Sequence, residues 1–150
     1  MRHKIERSLS WFKKRAWKAC SLYVRVRECL HTTGTLDYGF CFTCGVRIHI
    51  KEMHAGHFVA GRTNAVLFDD IAIRGQCYRC NIHKGGEPLI FRKNLIKEHG
   101  EETVDILESN RWKTKRYSKI ELDALYYVYK KKYDDLKLAY YKRGVAQKEG

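Results

Sequence analysis

The chain has 150 residues, of which 44% are hydrophobic and 13% aromatic, enough for one packed domain and too few for two full ones. Lys and Arg number 30 against 17 Asp and Glu, and the net charge of +13 favours a polyanionic partner such as nucleic acid, although a basic protein without that role could have the same composition. No apolar run approaches the roughly 20 residues of a membrane span, and the basic N-terminus lacks the apolar stretch of a signal peptide, so we expect a cytoplasmic protein with no membrane partner.

The first predicted element is a basic N-terminal helix, from about Ile5 to Leu30 within residues 1–33. Apolar residues recur there at steps of three, four or seven, as on one stripe of an amphipathic helix. Cys20 and Cys29 lie too far apart on this helix to share one tetrahedral metal site, so we expect both to be buried free thiols. The turn-forming residues 31–39 predict a loop.

Two C-x-x-C knuckles follow the loop, Cys41 with Cys44 and Cys77 with Cys80. In a reducing compartment such cysteines bind metal more often than they form disulfides, and four thiolates satisfy a tetrahedral zinc ion without leaving a position for substrate. A thioredoxin-like redox site would normally need only one knuckle, at a strand-to-helix turn. The sequence therefore predicts a structural zinc site, which would also hold Asn81, the residue after Cys80, near the loop between the knuckles.

Several polar residues that a structural zinc does not require lie between and just after the knuckles: His54, His57, Arg62, Asp69, Asp70, Asn81 and His83. They are the candidates for a functional site. His57 could instead only support the zinc ligands, and Asn81 could be the N-cap of the next helix, a role that is compatible with metal ligation.

Two helices are predicted after the second knuckle, Pro88 to His99 and Glu101 to about Glu108, with Gly100 as a left-handed cap between them. A basic linker at residues 111–119 leads to a last helix, which Ser118 and Glu121 could open as a capping box.

Leucines and tyrosines recur along the last helix at near-heptad spacing. This stripe either packs on its own domain or pairs with a second copy as a dimerisation helix, and the pattern leaves both open. Its members are Leu122, Leu125, Tyr129, Leu136 and Tyr140, with Tyr126 and Tyr133 alongside.

The order C-x-x-C, H-x-x-H and C-x-x-C-N resembles the His-Asn-His, or ββα-metal, nucleases, and among them endonuclease VII, a phage Holliday-junction resolvase. A closer resemblance, over residues 22–108, is to the phage NinG or Rap family of recombination endonucleases. It is carried by VRVRE at 24–28, CFTCG at 41–45, AGHF at 55–58, LFDD at 67–70, QCYRCN at 76–81 and FRKNLIKEHGEETVDILE at 91–108.

This resemblance implies an α+β fold: a zinc-stapled ββα-metal (His-Me finger) core at residues 34–108, with His57 on a β hairpin and a helix starting near Asn81, flanked by helices within 1–33 and 109–150. It also implies an endodeoxyribonuclease that cuts branched recombination intermediates, such as Holliday junctions and D-loops, and leaves 5′-phosphate ends. His57 matches the general base, and Asn81 matches a ligand of the catalytic Mg²⁺ or Mn²⁺. A phage enzyme of this kind would work in the cytoplasm of a bacterial host.

Two positions depart from the pattern of those nucleases. Many of them carry Asp immediately before the base histidine, where this chain has Gly56, so the second protein ligand of the catalytic ion is open between His54, Asp69 and His83. We favour His54 slightly, and count it with the catalytic residues, because of its H-x-x-H spacing. The other departure is Ala72, where the family usually carries Asn.

The basic residues expected to bind DNA are Arg62, Arg74, Lys84, Arg92, Lys113, Lys115 and Arg116. A homodimer through the C-terminal helix would suit the cutting of both strands of a symmetric junction. Two alternatives have the same motifs: a sequence- or nick-directed nuclease that acts on linear duplex, and a zinc-ribbon DNA-binding protein without catalysis.

Overall fold

A computed structural model describes residues 6–60 and 63–147 as an α+β protein that divides into two compact units. One unit is Val24–Arg116, and the other joins residues 1–23 to residues 117–150. In the described part of the chain, none of the helices has the length and apolar character that crossing a bilayer requires.

The regular elements in chain order are α1 (Leu9–Thr33), β1 (Tyr38–Phe40), β2 (Arg47–His49), β3 (His54–His57), β4 (Ile73–Gln76), a π-helical turn (Arg79–His83), α2 (Pro88–His99), α3 (Glu101–Ser109), a 3-10 turn (Asn110–Trp112) and α4 (Lys119–Ala146).

Helix α1 begins and ends a few residues later than predicted. The predicted start at Ile5 lies outside the described residues, and the helix begins where Ser8 Oγ accepts a hydrogen bond from the Trp11 amide at 3.2 Å, the usual N-cap geometry. At the other end, the helix extends to Thr33, inside the predicted loop, and the hydroxyls of Thr32 and Thr33 donate to carbonyls four residues earlier. Cys20 and Cys29 are fully buried free thiols, as predicted.

In the unit that contains α4, the predicted capping box is present. The Glu121 carboxylate accepts a hydrogen bond from the Ser118 amide at 2.7 Å, and Ser118 Oγ accepts one from the Glu121 amide at 3.1 Å. Two members of the Leu and Tyr stripe, Leu122 and Tyr129, are buried, and the Tyr129 ring lies 5.7 Å from that of Tyr23 on α1. This part of the stripe therefore packs within its own chain.

Two antiparallel strand pairs lie in the unit Val24–Arg116. Strand β1 pairs with β2, and β3 pairs with β4 in a register that sets His54 opposite Gln76 and His57 opposite Ile73. The predicted loop at 31–39 is therefore shorter than expected, because β1 already begins at Tyr38. Strands β3 and β4 pair as in a hairpin, but the long segment 58–72 joins them.

Helices α2 and α3 cover one side of the segment between β3 and β4, and both have the bounds predicted for them to within one residue. Phe91 is fully buried, and its ring packs against those of Phe42 and Phe58 at 4.9 and 5.5 Å between centroids. Gly100, between the helices, has φ 82 and ψ 159. It thus has the positive φ expected of a glycine cap, but it is extended rather than left-handed helical.

A buried ion-pair network joins α1 to β4 and α2. Glu28, 2% exposed, accepts hydrogen bonds from Arg74 Nε at 2.9 Å and from Arg27 Nη2 at 3.1 Å. Arg74, only 6% exposed, also pairs with Glu98 on α2. Because Glu28 and Arg74 are both out of water, each depends on the other to offset the cost of burying its charge.

We expect Glu28→Ala to lower the free energy of unfolding by about 3–5 kcal/mol, because the buried Arg74 then keeps only its partner at the surface. Glu98→Ala is the matched control. Its side chain is 38% exposed, and its removal should cost about 1 kcal/mol, since Arg74 keeps Glu28. Urea unfolding followed by circular dichroism measures both, and equal losses would contradict the network as described.

Candidate metal centre and active site

The two knuckles meet in space. The sulfur atoms of Cys41, Cys44, Cys77 and Cys80 all lie within 4.8 Å of one another, and those of Cys44 and Cys77 are 3.8 Å apart. Four thiol groups this close, two of them buried, are able to hold a structural metal ion such as zinc. The predicted four-cysteine site is confirmed to this extent.

Hydrogen bonds to sulfur favour a thiolate at Cys41 but not at every cysteine of this cluster. The backbone amide of Cys77 donates to Cys41 Sγ and that of Cys80 donates to Cys77 Sγ, both at 3.4 Å. Burial raises the pKa of the Cys41 thiol, but hydrogen bonds from the Thr43 hydroxyl and from backbone amides outweigh it and bring this pKa down to about 6. Burial raises the pKa of Cys80 to about 12, so a metal ion must displace its proton on binding.

Apolar packing fixes the knuckles to the strands that carry the candidate active-site residues. Cys41 and Cys80 belong to a buried cluster with Cys29 of α1, Ile48 of β2 and Met53, which immediately precedes β3. A metal held by the knuckles would therefore stabilise the placement of both strand pairs.

Asn81 follows Cys80 inside the π-helical turn Arg79–His83. Its amide donates to the Cys77 carbonyl at 2.9 Å, and the Lys84 amide donates to the Arg79 carbonyl at 3.0 Å. The alternative role of helix N-cap for Asn81 is therefore wrong: the turn begins at Arg79 with Tyr78 at its N-cap position, and α2 begins only at Pro88. Its side chain is half-buried beside β3, where Oδ1 lies 3.0 Å from the position that a Cβ on Gly56 would occupy.

His57, the last residue of β3, is half-buried, and a backbone carbonyl orients its ring. Nε2 lies 3.1 Å from the Leu67 carbonyl oxygen, which only accepts hydrogen bonds, so Nε2 carries the proton of the neutral ring. The lone pair of that tautomer is on Nδ1. The segment that supplies the carbonyl is held by Asp69, whose Oδ1 accepts hydrogen bonds from the Ile71 and Ala72 amides at 3.0 and 3.2 Å.

The three candidates for the second ligand of a catalytic ion each have other contacts. Asp69 Oδ1 stabilises the turn just described. His54 and His83 both contact the ring of Tyr78, at 5.6 and 5.1 Å between centroids, and His54 lines an open cleft of about 690 Å³ beside Cys44. In the described part of the chain, one group of three or more His, Cys, Asp or Glu side chains is close enough to share a metal ion, and it consists of the four cysteines. His54, Asp69 and His83 belong to no such group.

Sequence reasoning missed Gln76, at the end of β4. Its side chain is fully buried, and Nε2 donates to Thr43 Oγ1 at 3.1 Å and to the Gly86 carbonyl at 2.9 Å. A Cβ on Gly56 would lie 2.1 Å from its Oε1, so the glycine leaves room for this amide. The string QCYRCN contains the residue, but only the pairing of β3 with β4 brings it beside Gly56 and Asn81.

The basic residues predicted to contact DNA differ in their surroundings. Arg74 departs from the prediction, because it is buried and bound to two glutamates and so is not available to a phosphate in this conformation. Lys84 pairs with Glu87, and Arg92 pairs with acidic residues of α3. Arg62 lies outside the described residues. The remaining three are exposed in the extended stretch before α4: Lys113, Lys115 and Arg116.

Comparison with known proteins agrees with the family resemblance. Residues 1–138 match the family model described as "Bacteriophage Lambda NinG protein". Similar proteins named "Protein ninG" occur in Escherichia phage 933W, with 33% identity over 132 residues, and in Escherichia phage lambda and Salmonella phage P22, each with 32% identity over 132 residues. These alignments cover 85% of this chain and 58% or 59% of the relatives, so the chain spans about three fifths of the length of the curated relatives it matches.

No solved structure matches the chain significantly. The family model nevertheless covers most of it, and the relatives share about a third of its residues over nearly the whole of that region. The chain therefore belongs to the NinG family of bacteriophage proteins.

Proposed function

We propose that this protein is a metal-dependent endodeoxyribonuclease of the His-Asn-His type that cuts branched recombination intermediates. The observation that carries the proposal is the position of Asn81. The π-helical turn, which includes Cys80 of the second knuckle, places the Asn81 amide oxygen 3.0 Å from the Cβ position of Gly56, and Gly56 immediately precedes His57. A histidine and an amide oxygen able to ligate a metal ion, both near the end of β3, are parts that such a nuclease requires.

His57 is the proposed general base. With its Nε2 proton directed at the Leu67 carbonyl, the neutral ring accepts a proton from water at Nδ1. The resulting hydroxide attacks phosphorus, the bond from phosphorus to the 3′ oxygen breaks, and the leaving oxygen takes a proton from solvent water, so that the products are a 5′ phosphate and a 3′ hydroxyl. The hydrogen bond to Leu67 also stabilises the imidazolium that forms, because a carbonyl oxygen accepts more strongly from a charged donor.

Asn81 is the residue proposed to hold the catalytic ion, Mg²⁺ or Mn²⁺. The site fits such an ion, because Asn81 Oδ1 is a hard oxygen ligand and the unpaired carbonyl oxygen of Gln76 lies on the same side of Gly56. When bound, the ion supplies positive charge that stabilises the phosphate and the leaving 3′ oxygen.

Electrostatics support a DNA substrate. The net charge is +13, and Lys113, Lys115 and Arg116 are exposed on a stretch with no regular structure. Contacts between such residues and phosphates release condensed counterions, so binding should weaken steeply as salt rises. The preference for branched DNA is supported by the family resemblance.

The test compares a four-way DNA junction, end-labelled, with the linear duplex of the same sequence, each incubated with zinc-loaded protein and either Mg²⁺ or Mn²⁺. We expect cleavage of the junction with 5′-phosphate products, and much slower cleavage of the duplex. Equal cleavage of both would remove the branched preference from the proposal. DNA binding without cleavage under either ion would favour a zinc-ribbon binding protein instead.

A further inference from the structure

The two amide atoms of Gln76 have opposite surroundings. Nε2 donates to the Thr43 hydroxyl and to the Gly86 carbonyl, whereas Oε1 is buried and has no hydrogen-bond partner in the described part of the chain. A carbonyl oxygen cannot donate, so a flipped amide would place two oxygens against each other at Gly86. The orientation of the side chain is thereby fixed, with Oε1 directed at Gly56.

Gly56 marks the point where two carboxamide oxygens converge. A Cβ there would lie 2.1 Å from Gln76 Oε1 and 3.0 Å from Asn81 Oδ1. The first distance is far below a normal contact between nonbonded atoms, so any side chain at this position would displace Gln76. Mg²⁺ and Ca²⁺ bind oxygen ligands at roughly 2.0–2.6 Å. One such cation could therefore contact both Gln76 Oε1 and Asn81 Oδ1, since both lie close to the Cβ position of Gly56.

We propose that Gln76 Oε1, together with Asn81 Oδ1, is a protein ligand of the catalytic divalent ion, an inference that rests on the proposed function. Gln76 then takes the place of the Asp that many His-Asn-His nucleases carry at the position of Gly56. A buried carbonyl oxygen without a partner costs free energy, and a cation offsets that cost. The alternative ligands are less suitable here, since Asp69 Oδ1 holds a turn and His54 and His83 contact Tyr78.

The test measures Mn²⁺ binding in the absence of DNA, from the electron paramagnetic resonance signal of free Mn²⁺, with the full chain loaded with zinc. Mn²⁺ does not compete with zinc for thiolates, so the four-cysteine site stays filled. Gln76→Met, which keeps the length of the side chain but removes the oxygen, should weaken Mn²⁺ binding at least about tenfold. Gln76→Glu keeps the oxygen and adds a negative charge, so it should bind Mn²⁺ more tightly than wild type even though its second oxygen replaces the Nε2 that donates to Thr43 and Gly86.

A steric pair of variants tests the same site without altering Gln76. Gly56→Ala places a methyl group 2.1 Å from Oε1 and should weaken Mn²⁺ binding, whereas Gly144→Ala on α4 meets no atom within 4 Å and should not. Zinc content and melting temperature verify that each variant is folded. Wild-type Mn²⁺ affinity in folded Gln76→Met would overturn the proposal. If that variant fails to fold, unchanged affinity in Gln76→Glu would overturn it as well.

Failure of this inference and failure of the proposed function give different results. Mn²⁺ binding that depends on Gln76, in a protein that cuts no DNA, would support the metal site and contradict the nuclease. Junction cleavage by wild type, with Mn²⁺ affinity insensitive to Gln76 and Gly56, would support the nuclease and contradict Gln76 as a ligand.

Discussion

Replacing His57 by alanine is expected to lower the rate of junction cleavage by about 10²- to 10⁴-fold, the usual contribution of a general base. The ring is half-buried and hydrogen-bonded to the Leu67 carbonyl, and loss of that hydrogen bond should cost about 1 kcal/mol of stability. The variant should therefore keep its zinc and its affinity for junction DNA while it loses cleavage. Single-turnover cleavage with excess protein measures the chemical step apart from binding.

His99→Ala is the matched control for that experiment. His99 ends α2, where its ring lies 3.5 Å from the Glu98 carboxylate and is remote in sequence from both knuckles. The control should cut the junction at the wild-type rate. Wild-type cleavage by folded His57→Ala would show that another group activates the water, and His54 would then be the residue to replace next.

Elements whose signals are local could be predicted from the sequence. Helix α2 has the predicted bounds because Pro88 suits its first turn and Gly100 supplies the positive φ that ends it. The reciprocal hydrogen bonds between Ser118 and Glu121 also depend only on a spacing of three residues. The knuckles are equally local, and four cysteines in two such pairs indicated a shared site before their distances were known.

Features that depend on contacts between distant segments could not be predicted. In a chain of charge +13, the sequence does not distinguish a basic residue that binds phosphate from one that forms an internal ion pair. Only the packing of α1 and α2 against β4 shows that Arg74 pairs with Glu28 and Glu98. Gln76 likewise became a candidate ligand only when the register of β3 and β4 placed it beside Gly56. Asn81 could be singled out from its position directly after the second knuckle, but its π-helical environment has no recognised sequence signal.

The segment VRVRE, part of the family resemblance, shows how structural residues can support a site from a distance. Arg27 Nη1 donates to the Asp70 carbonyl at 2.8 Å and Nη2 donates to the Ile73 carbonyl at 2.7 Å, so α1 holds the chain that leads from the Leu67 carbonyl into β4. Glu28 neutralises Arg74 on the same strand. These residues position the strands on which His57 and Gln76 lie, and we assign them no contact with DNA or metal.

Replacing Cys80 by serine is expected to have the largest effect on folding. Structural zinc in zinc-finger peptides contributes about 10–16 kcal/mol of apparent binding free energy, whereas whole domains are stable by about 5–15 kcal/mol. Cys80 is 1% exposed and packs in the same buried cluster as Cys41 and Met53, so loss of the ion would leave buried thiols and a hydroxyl without their partners. We expect Cys80→Ser to lose stoichiometric zinc and the cooperative unfolding of Val24–Arg116.

Cys20→Ala separates the loss of a metal ligand from the loss of a buried cysteine. Cys20 is as fully buried as Cys80 but lies on α1 outside the cluster of four, so this variant should keep zinc and lose only about 1–2 kcal/mol. Zinc content by atomic spectroscopy, together with amide hydrogen exchange in each unit, distinguishes the two variants. Cys80→Ser that lacks zinc but keeps wild-type exchange protection in Val24–Arg116 would show that the cysteine cluster does not stabilise the fold, and the placement of Asn81 would then depend on apolar packing alone.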